Sequence, residues 1–326
     1  MTPAPTSTEP TSTEPASRRG RTPAPGVAGR PVRRPRSRTA RIALWFVAPF
    51  VLLFATVYVA PICYAIYQSL FRIERDALGL TPPTEVFDPW FNYAAALQDS
   101  GFVASLGRVL LFGMVQVPVM LVFALVLALL IDSASARGKG FFRLASFAPY
   151  AVPTVVSALM WSFLYSPTDS PFNELLEPAG LTVDFLGTHL TLWSVANVVT
   201  WGWTGYNMII IYAALQGVPR EVLEAAKLDG ASPWRIAWHV KVPLVRPALL
   251  LTTVFSIIGS AQLYNEPFVL SSSTGAIGPD YTPLMAAQAS ITAANYPYAA
   301  AQSVILALGV AVLSVLFFRI TSRRSS

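Results

Sequence analysis

The sequence predicts an all-α integral membrane protein with six transmembrane helices, and three observations carry that reading. Only 12% of the 326 residues are charged while 54% are apolar, against roughly 25% and about 45–50% in a soluble domain. Six apolar runs each reach the about 20 residues needed to cross the hydrocarbon core of a bilayer. Twenty of the 23 Lys and Arg residues fall at the two termini and in alternate connections, the asymmetry that orients a membrane chain.

Residues 1–41 are dominated by Pro, Ser, Thr, Ala and Arg. They have no apolar periodicity that could offset the entropy of folding, so they read as a disordered cytoplasmic tail. The first span, 42–70, begins too late and runs too long for a signal peptide and is expected to be uncleaved. The second covers 102–131. The third, 144–165, carries Pro149 and Pro153, which must bend it. Residues 190–215 form the fourth, 247–270 the fifth and 299–320 the sixth. The transmembrane domain is thus 42–320, followed by a cytoplasmic end at 321–326.

Charge sets the orientation. The tail has nine arginines, the second-to-third connection has Arg137, Lys139 and Arg143, and the fourth-to-fifth has Arg220, Lys227, Arg235, Lys241 and Arg246. Arg72, Arg75 and Arg108 are the remainder. Both termini and the fourth connection are therefore expected on the cytoplasmic side of the cell membrane. Topology and attraction to anionic lipid account for the net charge of +6, with no nucleic acid required. Cys63 is alone, and His189 and His239 fall on opposite sides of the membrane, so no disulfide or metal site is expected. No span carries Asp, Glu or His near its centre, as a proton-coupled carrier would. No GxxxxGK[ST] loop is present to use ATP. The chain is expected not to be an enzyme and to draw energy from a partner.

The fourth connection is the most informative segment. A short amphipathic helix is expected over 219–228, with Pro219 at its start. Val218, Val222, Leu223, Ala225 and Ala226 form its apolar strip, and Arg220, Glu221, Glu224 and Lys227 lie opposite. Gly230 ends the helix through a left-handed cap. Ser232 and Pro233 read as the N-cap and first position of a second short helix reaching about His239, which Pro243 stops. Pro247 then opens the fifth span.

This segment, EAAKLDGASPWRIAWHVKVP, resembles the EAA motif of bacterial ATP-binding-cassette importer permeases. Glu224, Ala225 and Ala226 are followed after three residues by Gly230 and, nine residues later, by Val240, Lys241, Val242 and Pro243. Val240 and Val242 replace the usual Ile and Leu and keep their apolar character. RGKGFFRLASFAPYAVPTVVSALMW, LQGVPREVLEAAKLDGAS and GSAQLYNEPFVLSSSTG look like the sugar-permease branch, which includes the maltose, multiple-sugar and glycerol-phosphate permeases. The likeness covers about residues 42–320. It implies a cytoplasmic coupling loop between helices 4 and 5 that docks on an ATPase. Glu224 would pair with a basic group there, and Gly230 would supply the turn. It also implies a second, related but non-identical permease subunit, a cytoplasmic ATPase dimer that binds the ATP, and an extracytoplasmic solute-binding protein that delivers a sugar. No cofactor is expected on this chain.

Spans four and five hold the expected substrate contacts, because aromatic faces cover sugar C–H surfaces and amides satisfy hydroxyls. The candidates are Trp203, Tyr206, Asn207, Gln262, Tyr264, Asn265 and Glu266. A secondary transporter or channel working without an ATPase is the alternative function, and the sequence does not name the sugar.

Overall fold

The computed structural model describes residues 36–74, 82–133 and 135–322. Residues 1–35, which the sequence assigns to a disordered tail, lie outside the described residues, as do 323–326 at the C-terminal end. The described residues fall into two units that divide after Ala55. The described part of the first is essentially one helix, α1 (Arg36–Phe54). It takes in residues 36–41, which composition places in the tail, because helix-favouring Arg and Ala lead straight into the apolar run.

A π-helical turn, Ala55–Val59, leads into α2 (Ala60–Ser69). A two-stranded antiparallel hairpin follows, β1 (Phe71–Glu74) and β2 (Thr84–Phe87), with Phe71 opposite Phe87 and Glu74 opposite Thr84. The fold is mostly helical, as expected, and this short hairpin is an addition to the all-α reading. Apolar and charged residues alternate in FRIE, a period of two that suits a strand, and the β-branched and aromatic Thr84, Val86 and Phe87 suit its partner. Asn92 pins the hairpin by donating to the Phe71 carbonyl at 2.5 Å and the Ser69 carbonyl at 3.1 Å.

Helices α3 (Phe91–Gln98) and α4 (Ser100–Asp132) come next. Asp99 caps α4, accepting from the backbone N–H of Gly101 at 2.9 Å and Phe102 at 3.2 Å. The expected third span is not one rod. It is α5 (Lys139–Ala151) and α6 (Thr154–Leu164), bent by 92°. Val152 precedes Pro153 and is forced into extended backbone at φ −78° and ψ 129°, the restriction that proline places on its predecessor.

After α7 (Pro171–Leu176) and a 3-10 turn, α8 (Thr191–Gln216) runs through the middle of the larger unit, packed along α4 and α5. The polar connection then supplies α9 (Arg220–Leu228), α10 (Pro233–Ile236), a π turn at Ala237–Lys241 and α11 (Val242–Leu244). Helix α12 (Arg246–Ala261) follows. A break at residues 262–264 separates it from α13 (Asn265–Leu270). Finally α14 (Pro283–Thr292) and α15 (Tyr296–Ser322) pack on each other.

Among the described residues, four helices are long and apolar enough to cross a membrane: Leu44–Ser69, Ser100–Asp132, Arg246–Ser273 and Tyr296–Thr321. The bent pair α5 and α6 makes a fifth if it counts as one span. The expected fourth span, α8, is not in that set although it has 26 residues. Asn197, Thr200, Gly202, Thr204, Gly205 and Asn207 dilute its apolarity. Protein covers Thr204 and Asn207, 9% and 2% exposed, while the exposed Asn197 amide donates to the Tyr165 hydroxyl at 2.8 Å. At residue 205 the approach is so close that a Cβ would lie 2.0 Å from the Ser146 carbonyl oxygen on α5, so only glycine fits there.

Two apolar clusters hold the ends of this bundle. One joins Ala124, Ala128 and Ile131 of α4 to Met208, Ile211 and Leu215 of α8 and to Val245. The other joins Phe112, Val195 and Val199 to Leu186, Leu263, Leu270 and Met285. Arg108 near the second end is half-buried, with its guanidinium 4.6 Å from the Tyr281 ring centroid and a 2.6 Å hydrogen bond to the Tyr281 carbonyl. Burial pushes the Tyr281 hydroxyl above its ordinary pKa, and the Arg108 charge opposes that rise.

Candidate functional site

The polar connection is built by local signals. Helix α9 has Glu221 in its first turn and Lys227 in its last, each opposite in sign to the helix dipole end it adjoins. Pro219 is the N-cap residue, at φ −58° and ψ 134°, one place before the expected first helical position. Gly230 has φ +76°. Its N–H donates to the Lys227 carbonyl and that of Ala231 to the Ala226 carbonyl, both at 3.0 Å, which is the paired bonding of a Schellman cap. The Ser232 hydroxyl oxygen accepts from the Arg235 N–H at 3.3 Å and opens α10.

Pro243 does not stop the helical chain, contrary to the sequence expectation. The chain continues to Leu244 because the π turn at Ala237–Lys241 precedes the proline. A proline lacks the N–H for the ordinary ladder and crowds the carbonyl four residues back, and a widened turn accommodates both defects. The π turn at Ala55–Val59 precedes Pro61 by the same two residues.

The two halves of the connection differ in burial. No residue of α9 is buried. Glu224 and Ala225 are exposed, Ala226 is half-buried, and Leu228 is 89% exposed. After Gly230 the chain enters the bundle: Ile236 and Val245 are buried, and Val242 packs against the cluster formed by α4 and α8.

The second candidate site is a cavity of ≈ 240 Å³ between α4, α8, α12 and α13. Trp203, Tyr206, Asn207, Gln262, Tyr264, Asn265 and Glu266 all line it. The break between α12 and α13 brings the last four there, because a straight helix would carry them along successive faces. Tyr150 of α5 completes an aromatic group, 4.9 Å from Tyr206 in a stacked arrangement and 5.3 Å from Trp203 edge-on. Glu266 is 7% exposed and forms no salt bridge among the described residues.

Gln116, Thr154, Ser256 and Ser260 also line the cavity and were missed in the sequence. Gln116 is 2% exposed. Its carbonyl oxygen accepts from the Ser260 hydroxyl at 3.1 Å, and its amide donates to Thr200 Oγ1 at 3.4 Å. An amide inside an apolar span is a signal available in the sequence; a search limited to titratable groups passes over it. Asn207 donates to the Trp203 carbonyl at 3.1 Å, while its Oδ1 is buried without a hydrogen-bond partner among the described residues. A larger hollow of ≈ 410 Å³ between α4, α12 and α15 is lined almost wholly by apolar side chains such as Met114, Val310 and Leu313. It offers little to a hydroxylated ligand.

Residues 120–325 match the family described as "Binding-protein-dependent transport system inner membrane component". The chain is 31% identical over 282 residues to the lactose transport system permease protein LacF of Rhizobium radiobacter, a match spanning 84% of this chain and 91% of the relative. It is 30% identical to the sn-glycerol-3-phosphate permease protein UgpA of Agrobacterium fabrum, over 85% of this chain and 94% of that one. The trehalose permease protein SugA of Mycobacterium tuberculosis is 31% identical, over 73% and 76%. In fold, the chain is similar to a subunit of a bacterial alginate ABC transporter solved with an alginate-pentasaccharide-bound periplasmic protein. The TM-score is 0.73 and the identity 15%, with 89% of this chain and 99% of that one covered.

Proposed function

The chain belongs to the inner-membrane components of binding-protein-dependent transport systems, and on that premise we propose that it is one of two permease subunits of an ATP-driven importer for a neutral carbohydrate. The observation that carries the coupling role is α9: a capped, dipole-matched helix with no buried residue, which presents Glu224 and small Ala225 to a partner. Docked in a groove of a cytoplasmic ATPase, Glu224 pairs with a basic side chain while Ala225 and Ala226 permit close approach. ATP binds to that partner, and closure of the ATPase dimer pulls the loop.

The relatives for lactose and trehalose favour a sugar. The cavity favours a neutral one, since among the described residues Glu266 is the only charged one in its lining and a phosphate ester would call for Arg or Lys. At ≈ 240 Å³ it is smaller than the roughly 300–1,000 Å³ of a typical ligand pocket, which suits half of a path completed by a second, related permease. An extracytoplasmic binding protein delivers the sugar. Six spans follow if α8 crosses the bilayer behind its protein cover and α5 with α6 count as one. Both termini and α9 then lie in the cytoplasm.

Affinity purification of the tagged chain from native membranes in mild detergent tests the reading. The wild type is expected to bring down an ATPase and a second permease, and Glu224→Lys to lose most of the ATPase. A wild-type complex without any ATPase, under conditions that keep other membrane assemblies whole, sinks the proposal in favour of a carrier or channel.

A further inference from the structure

Asp132, the last residue of α4, is a junction. Its Oδ1 accepts a hydrogen bond from Gln216 Nε2, at the end of α8, at 2.6 Å. Its Oδ2 forms an ion pair with Lys241, in the π turn that follows α10. Lys139, which opens α5, donates to the Asp132 carbonyl at 3.4 Å. The Asp132 and Lys241 side chains are 12% and 16% exposed, so little water screens the pair. Arg72, by contrast, pairs with Glu74 and Asp88 within its own hairpin region.

We propose that the Asp132–Lys241 pair is the pin that converts motion of the docked loop into motion of the translocation helices, a role that rests on the importer reading above. Before Gly230 the loop is an exposed helix with no buried residue, and after it the chain is packed on α4 and α8. A pull on α9 therefore reaches the bundle through the second half of the loop. Apolar packing there resists compression but lets surfaces slide. A charge pair with a hydrogen-bonded third partner fixes register along the helix axis. Through Asp132 and Gln216 one displacement at Lys241 moves α4 and α8 together, and both line the cavity higher up, at Gln116 and Asn207. Asp132 and Lys241 are thus positioning residues, distinct from the docking residue Glu224.

The test uses the purified complex with its ATPase and second permease in nanodiscs. A reporter cysteine replaces Gly259, where a Cβ meets nothing within 4 Å and faces the cavity, in a Cys63→Ser background. A water-soluble maleimide measures its accessibility with and without ATP and vanadate. Asp132→Asn and Lys241→Met are each expected to retain the ATPase and its hydrolysis. They should reduce the nucleotide-dependent change in labelling about fivefold or more, the lower range of an allosteric coupling. The exchanged pair, Asp132→Lys with Lys241→Asp, is expected to restore most of it, which a loss of general stability would not predict. Unchanged labelling in the single variants, loss of the ATPase from them, or no restoration by the exchange each overturns the pin. Absence of the ATPase from the parent complex instead overturns the importer reading beneath it.

Discussion

Asn207 shows how a membrane interior keeps a group that does not help it fold. Its Oδ1 is buried and unpaired among the described residues, an arrangement that costs about 1–3 kcal/mol in a core. Asn207→Leu is therefore expected to leave the unfolding temperature in detergent unchanged or higher, while uptake of the carbohydrate falls about tenfold, the loss of one hydrogen bond of about 1.4 kcal/mol. Undiminished uptake would remove Asn207 from the path. Gly205 is the opposite case, a residue that serves packing alone. With the Ser146 carbonyl oxygen 2.0 Å from any added Cβ, Gly205→Val should separate α5 from α8 and lower stability by at least the about 1–3 kcal/mol of an overpacked core. Loss of helical circular dichroism on heating in detergent would register it.

At the scale of elements, two conformational devices organise the polar connection between α8 and α12. The left-handed Gly230 closes α9, and there a β-branched residue costs roughly 1–2 kcal/mol whereas Asn tolerates the conformation. Gly230→Val should weaken recovery of the ATPase severalfold and Gly230→Asn should largely preserve it. Equal recovery with both would mean that the turn is not what presents Glu224. The second device is the π turn ahead of Pro243, which turns an expected stop into a continuous connection to the bundle. The Gly230 turn was legible in the sequence because one residue type satisfies it. The fate of Pro243 was not, since a proline ends a helix or is absorbed by a widened turn according to what holds the chain on either side.

For the whole molecule, the open question of topology falls to α8. Hydropathy alone admits four spans, or five with the bent pair, whereas the charge pattern requires an even number to keep both termini on one side. Single cysteines in a Cys63→Ser background decide it. Asp169→Cys and Gly275→Cys should react with an impermeant maleimide on intact cells, and Asp229→Cys only after permeabilisation. Reaction of Asp229→Cys from outside would reject the orientation that positive charge assigns.

What the sequence by itself determined were the features with a local or one-dimensional cause: the long apolar helices, the capped helix–turn–helix between residues 217 and 243, and the family to which it points. The seven path candidates were chosen from residue type, and the structure gathers all seven around one cavity. Only the tertiary structure decided how that cavity closes, because Gln116 comes from a span that reads as apolar and the break at residues 262–264 turns α13 toward it. Likewise, the Asp132 junction joins residues 84 and 109 positions apart in sequence. Periodicity and capping act within a few residues and leave such meetings open. They are fixed by which helices pack side by side, and α8 can carry Ser194, Thr204 and Asn207 through the middle of the protein because its neighbours bury them.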